Sequence, residues 1–208
     1  YMSDPHRYLL GHDAEEWARL QSQHLLWRDT LLDPLQALDL GPKPRITEVG
    51  CGSGALLEDL CELVADGTLH GVERNPEAAD HARARLGTRA DVLLADLDRD
   101  PLPPDNALIV ARWVFSFLPD PAASLERLAA AVQPGGWIAI QDYNHEGLGV
   151  WPAEPIFARV IQAFRTAYAV RGGDLWVAAK LPELCARHGL ELVHLQPHAK
   201  AGPPASAV

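Results

Sequence analysis

The stretch EVGCGSG, residues 48–54, alternates glycine with other residues directly after a short apolar run. Glycine takes left-handed backbone at no steric cost and lets another molecule approach the bare main chain. RITEVG before it reads as a short buried strand. ALLEDLCELVADG after it reads as a helix with Leu56, Leu57, Leu60, Leu63 and Val64 on one stripe and Gly67 at its end. A strand, a glycine turn and a helix in that order place the turn at the carboxyl edge of a sheet, where open α/β sheets bind ligands. Gly50, Gly52 and Ala55 also satisfy the loose G-x-G-x-x-G/A pattern. The turn alone therefore leaves open a pyrophosphate ligand and one with no phosphate.

Outward from the turn, strands and helices alternate. TLHGVE, ADVLLADL and WIAIQDYN read as strands, and NALIVARWVFSFL as a strand followed by a turn. NPEAADHARARLG reads as a helix capped by Asn75 with Pro76 in its first turn. DPAASLERLAAAVQPGG reads as a helix stopped by Pro134 and Gly135. Upstream, DAEEWARLQSQHLLWRDTLLDPL is a helix that Asp13 caps, with Glu16 completing a capping box. Trp17, Leu20, His24, Leu25, Leu31 and Leu32 fall near one of its faces. This alternation predicts right-handed crossovers and a mostly parallel sheet with helices on both faces. Residues 143–189 break the rhythm with two helices, near EPIFARVIQAFRTAYAV and AAKLPELCARHG, and are expected to form a lid or pocket wall. LELVHLQ is then the sixth and last strand.

Composition narrows the partners. The 208 residues carry 18 Lys and Arg against 28 Asp and Glu, a net charge of −10. Such a chain without a basic run is poorly suited to nucleic acid or an anionic membrane, so a small-molecule partner is expected. Three widely spaced cysteines, Cys51, Cys61 and Cys185, argue against a disulfide framework and a structural zinc site. No signal-peptide run is visible at the N-terminus, and no stretch reaches the roughly 18 apolar residues of a membrane helix. The expected location is cytoplasmic. His194 and His198 lie on a strand-like segment and do not share a helical face, so no metal site is expected.

Two carboxylates sharpen the reading of the turn. Glu73 ends the second strand and can accept two hydrogen bonds from vicinal ribose hydroxyls. Asp96, in LLADL, falls at the same sheet edge and can accept from an exocyclic amino group. Glu48, Glu73 and Asp96 together favour a cationic ligand there over a pyrophosphate. With no lysine near the turn, a nucleoside triphosphate loop is excluded.

EVGCGSG, GVERNP, LLADL, LPDPAASLERLAAAV and VQPGGWIAIQDY, in this order over roughly residues 45–145, resemble the class I S-adenosylmethionine-dependent methyltransferases. YLLGHDAEEWARL and GGDLWVAAKLPELCARHGLELV are similar to a bacterial small-molecule branch of that family. The resemblance implies a three-layer, Rossmann-like α/β sandwich in one domain over residues 1–208. Residues 1–40 would be an N-terminal helical cap, 41–142 the cofactor-binding core, 143–189 the helical insertion, and 190–208 the last strand and tail. The family's sheet has seven strands, the last antiparallel, so a count of six leads us to expect a shortened chain.

The resemblance also implies roles. Gly50, Cys51, Gly52 and Gly54 would pack against the methionyl and ribose parts of S-adenosylmethionine, with Glu48 organising the turn. Glu73 would hold the ribose hydroxyls, Arg74 and Asn75 would flank the adenine, and Asp96 and Leu97 would meet its edge. Arg112 would line the methionyl side. Tyr8 and Arg19 are the candidates in the segment that closes over the cofactor, Arg19 for its carboxylate. Cys51 reads as a packing residue. Trp113, Phe115 and Phe117 follow the fourth strand with period two and divide between core packing and an aromatic wall. Trp151, Phe157, Tyr168 and Trp176 read as packing. His145 is the candidate general base, with Asp142 and Tyr143 of similar standing.

These readings converge on methyl transfer to a small acceptor by in-line displacement, which needs alignment in a dry pocket more than a fixed acid or base. The alternatives are an NAD-dependent oxidoreductase and a non-catalytic S-adenosylmethionine-binding protein. Oligomeric state is open, a homodimer being one option.

Overall fold

The computed structural model describes residues 14–64 and 66–202. Among these residues five strands form one parallel sheet: β1 (Arg45–Val49), β2 (Thr68–Glu73), β3 (Asp91–Leu94), β4 (Asn106–Arg112) and β5 (Val132–Gln141). Their order is β3-β2-β1-β4-β5, and every pairing is parallel. The order reverses between β1 and β4, and beyond the carboxyl ends of these two strands lies the crevice in which doubly wound sheets bind ligands.

Among the described residues six α-helices accompany the sheet: α1 (Ala14–Gln36), α2 (Ala55–Leu63), α3 (Pro76–Leu86), α4 (Pro121–Ala131), α5 (Pro155–Val170) and α6 (Val177–Arg187). The central strands β1 and β4 are buried almost throughout, as strands covered on both faces must be. One core cluster joins Leu31, Leu35, Ile46, Leu57, Leu60 and Leu108 beneath α1 and α2. A second joins Val49, Ile109, Phe115, Leu125, Leu128 and Val177 beneath α4 and α6. The cap expected at Asn75 forms, its side chain accepting from the Ala78 N–H at 3.0 Å. Asp13 lies outside the described residues, and with it the expected capping box; Glu16 accepts from Arg19 Nε and Nη2.

Three expectations are corrected. LELVHLQ, expected as a sixth strand, joins no strand ladder among the described residues; Leu192, Val193 and Leu195 are largely exposed. Its alternating pattern is local, whereas a strand exists only by its ladder to a neighbour. The helix expected to run to Pro134 and Gly135 stops at Ala131, and both residues fall within β5. A register shift between the β5 partners of Asn106 and Leu108 marks a bulge there, which accommodates a proline that cannot donate to the ladder. Trp151, expected to pack, is 90% exposed.

Candidate functional site

The glycine turn closes between β1 and α2. Gly50 and Gly52 have φ of 65° and 52°, in the left-handed region that side chains resist. A Cβ at Gly50 would stand 2.5 Å from Val114 Cγ2, so this glycine lets the turn pack under the chain leaving β4. A Cβ at Gly52 would meet nothing within 4 Å, leaving room for another molecule against the main chain. The N–H groups of Gly50 and Cys51 both donate to the Val72 carbonyl, at 2.7 and 3.1 Å. Glu73 accepts from the Gly52 N–H at 2.9 Å and from the Asn75 N–H at 2.8 Å. One carboxylate therefore ties the turn to the start of α3, with acceptor capacity left on both oxygens. Glu48 is engaged by the Leu57 backbone.

Over this turn opens a cavity of about 1150 Å³. The structure brings to its lining Glu48, Gly50, Cys51 and Gly52 from the turn, and Glu73, Arg74 and Asn75 from the end of β2. Asp96 and Leu97 line it beyond β3, and Arg112 at the end of β4. Arg19 also lines it, its guanidinium bonded to Glu16 and Gln23. Gly54 belongs to the turn but faces α3, where its Cβ would meet Ala82 and Leu86 at 3.1 Å. Tyr8 lies outside the described residues.

Several lining residues are ones the sequence reading left out or assigned elsewhere. From α1 come Trp17, stacked on His81 with ring centroids 4.7 Å apart, as well as Gln23 and His24. An aromatic side is formed by Trp113, Phe117, Tyr143, Phe164 and Tyr168. The period of two after β4 does not continue as a strand: Trp113 takes a φ of 55°, and Phe115–Phe117 form a 3₁₀ turn. Phe115 enters the core, while Trp113 and Phe117 face the cavity. The one signal for His24 was a polar residue on an apolar stripe. Phe164 and Tyr168 gave none beyond lying in the insertion.

His145 is not among the lining residues. Its ring stacks against Phe164 at 5.7 Å and meets Tyr143 edge-on, and it is buried behind these two. Burial and then Arg165 push its pKa down. The geometry thus separates His145 from the cavity in which a general base would act.

Burial governs the site's titration. Glu48 is pushed up to about 8 by burial; Arg112 pulls it back and Glu73 adds to the rise. Burial, then Glu48 and Glu73, push the Cys51 thiol far above its ordinary range, which suits packing and not nucleophilic chemistry. Asp142 is raised by burial to about 6 although it accepts from the N–H groups of Tyr143 and Ser116. Among the described residues no group of three or more His, Cys, Asp or Glu is placed to hold a metal ion. Among them too, no helix is long and apolar enough to cross a membrane.

Residues 47–138 match the family model described as a methyltransferase domain. The chain is 30% identical over 197 residues to methyltransferase str2 of Strobilurus tenacellus, covering 91% of this chain and 69% of that protein. It is 35% identical over 141 residues to trans-aconitate 2-methyltransferase of Methylobacterium nodulans, covering 63% of this chain. It spans only 53% of that relative's length. In fold it is similar to a SAM-dependent methyltransferase from Aquifex aeolicus, with a TM-score of 0.63 and 19% identity, covering 86% of this chain and 89% of that one.

Proposed function

The chain belongs to the class I S-adenosylmethionine-dependent methyltransferases, and we propose that it methylates a small organic acceptor held against the aromatic side of its cavity. S-adenosylmethionine supplies a methyl group activated on a sulfonium. The observation that carries the reading is the open cradle at Gly52 beside Glu73, at the point where the strand order reverses. The residues present fit this cofactor. Gly52 leaves space against the main chain, Glu73 retains acceptor capacity for ribose hydroxyls, and Arg112 carries a buried Nη1 with no partner. Arg112 is assigned the carboxylate at the methionyl end. Arg19 flanks it, with its guanidinium bonded to Glu16 and Gln23.

Asp96 and Leu97 are assigned the adenine edge and Arg74 its face. Asn75 lines the cavity beside Arg74 while its side-chain oxygen accepts from the Ala78 N–H. Gly50 and Cys51 complete the cradle. The roof from α1 and the rings of Trp113, Phe117, Tyr143, Phe164 and Tyr168 exclude water and favour a flat or apolar acceptor. Tyr143 offers that acceptor a hydroxyl already oriented by the Gln23 amide at 2.8 Å. With His145 off the lining, alignment in a dry site is the chain's main contribution to catalysis.

The test is calorimetric titration with S-adenosylhomocysteine and with NAD, on the wild type and on Glu73→Ala. The reading expects binding of the first ligand only, lost in the variant. Binding of NAD in its place would sink it.

A further inference from the structure

His24 stands on the buried stripe of α1, 4% exposed, between groups of opposite charge. Its Nδ1 lies 2.8 Å from Arg112 Nη2, and its Nε2 lies 3.1 Å from Asp59 Oδ2. A guanidinium only donates and an ionised carboxylate only accepts. The two contacts therefore fix the ring as neutral, with its proton on Nε2 and the Nδ1 lone pair toward Arg112. A proton on Nδ1 would oppose the Arg112 donors. Consistently, burial and then Arg112 lower the His24 pKa to about 4, against Asp59 and with Arg28 and Arg85.

The contacts continue on both sides. Arg28 of α1 grips Asp59 of α2 through Nε and Nη2, at 2.8 and 2.9 Å. The Arg112 guanidinium lies over the Trp113 ring, 4.8 Å from its centroid. Arg112 is thus held at Nη2 and across one face, while Nη1 is buried without a partner. On the neighbouring strand β1, Glu48 Oε2 is also buried without one. An orphaned buried donor is costly and wants an acceptor, and Arg112 lines the cavity.

We propose that His24 is a positioning residue that acts through Arg112: by accepting at Nδ1 it holds the guanidinium so that Nη1 serves the carboxylate of the bound methyl donor and its product. This rests on the reading in which Arg112 meets the methionyl end of the cofactor. Asp59 and Arg28 serve it indirectly, by fixing which ring nitrogen carries the proton. The same chain of contacts couples the seating of α1 over the cavity to the grip on the ligand.

Two ligands and three variants separate this role from a merely structural one. The ligands are S-adenosylhomocysteine and its decarboxylated analogue, which lacks only the carboxylate. Asn in place of His24 sets an amide oxygen where Nδ1 stands and can accept from Arg112. Gln sets its amide nitrogen near Nε2 and serves Asp59 alone; Ala serves neither. His24→Gln and His24→Ala are expected to weaken S-adenosylhomocysteine about tenfold while moving the analogue by no more than about twofold. His24→Asn is expected to recover most of the lost affinity. Circular dichroism identifies any variant that does not fold, and the ratio between the two ligands is read on those that do. Equal losses of both ligands in the Gln and Ala variants would overturn the proposal, as would an Asn variant no better than Gln. A wild type that binds S-adenosylhomocysteine while giving either result leaves the functional reading standing; a wild type that does not bind it overturns that reading as well.

Discussion

At Gly52 a Cβ would stand in open space over the turn, where the proposed cofactor lies. The φ of 52° at this glycine costs an alanine about 1 kcal/mol wherever it occurs. Gly87, at the end of α3, has a φ of 58° and equally open space, but it does not line the cavity. Gly87 pairs its positive φ with a ψ of −122°, which side chains resist more than the left-handed region, so Gly87→Ala is expected to lose at least as much stability as Gly52→Ala in urea unfolding. Only Gly52→Ala should also lose affinity for S-adenosylhomocysteine, since its Cβ would occupy the cradle. Equal affinities in the two variants would show that nothing lies against Gly52. At this scale much of the cavity lining was legible. Gly50, Glu73 and Asp96 sit at strand ends, where chain position alone specifies the sheet edge. His24 was not, because its meaning depends on Arg112 and Asp59, distant in sequence and brought to it by the docking of α1.

Elements were legible where local chemistry decides them. Asn75 and Pro76 start α3 as expected, and Asn75→Ala should cost about 1 kcal/mol, lowering Tm by roughly 2–4 °C, while Asn75→Asp retains the cap. A thermal melt of both variants checks this, and an unshifted Ala variant would remove the cap from the account. Elements were illegible where a neighbour decides them. LELVHLQ alternates like a strand and joins no ladder among the described residues, and QPGG reads as a helix stop yet lies in a bulged strand because β4 runs beside it. The same holds for α1, whose seat is made by contacts to distant elements: Gln21 to Arg85, Arg28 to Asp59, Thr30 to Gln141 and Gln23 to Tyr143.

For the whole molecule the buried ionisable groups set how stability follows pH. Glu48, raised to about 8, keeps in the folded state a proton that the unfolded chain releases near 4.5, so stability falls as pH rises between these values. Asp142, raised to about 6, acts in the same sense and is spent by that pH. His24, lowered to about 4, has the opposite sign: stability falls as pH drops from 6.5 toward 4, where only the unfolded chain takes up the proton. Between pH 6.5 and 8 the Glu48 contribution stands alone among these three. Urea unfolding should therefore show the wild type weakening across that window and Glu48→Gln nearly flat. A wild type that is flat there would mean Glu48 is already ionised when folded. The sequence by itself determined the alternation of strands and helices, the glycine turn and the carboxylates at the strand ends, because these follow from periodicity and from residues adjacent along the chain. Only the tertiary structure decided what roofs and walls the cavity. The docking of α1 and α5, the displacement of His145 behind Phe164 and Tyr143, and the His24–Arg112 contact all depend on packing between segments far apart in sequence, which no local pattern encodes.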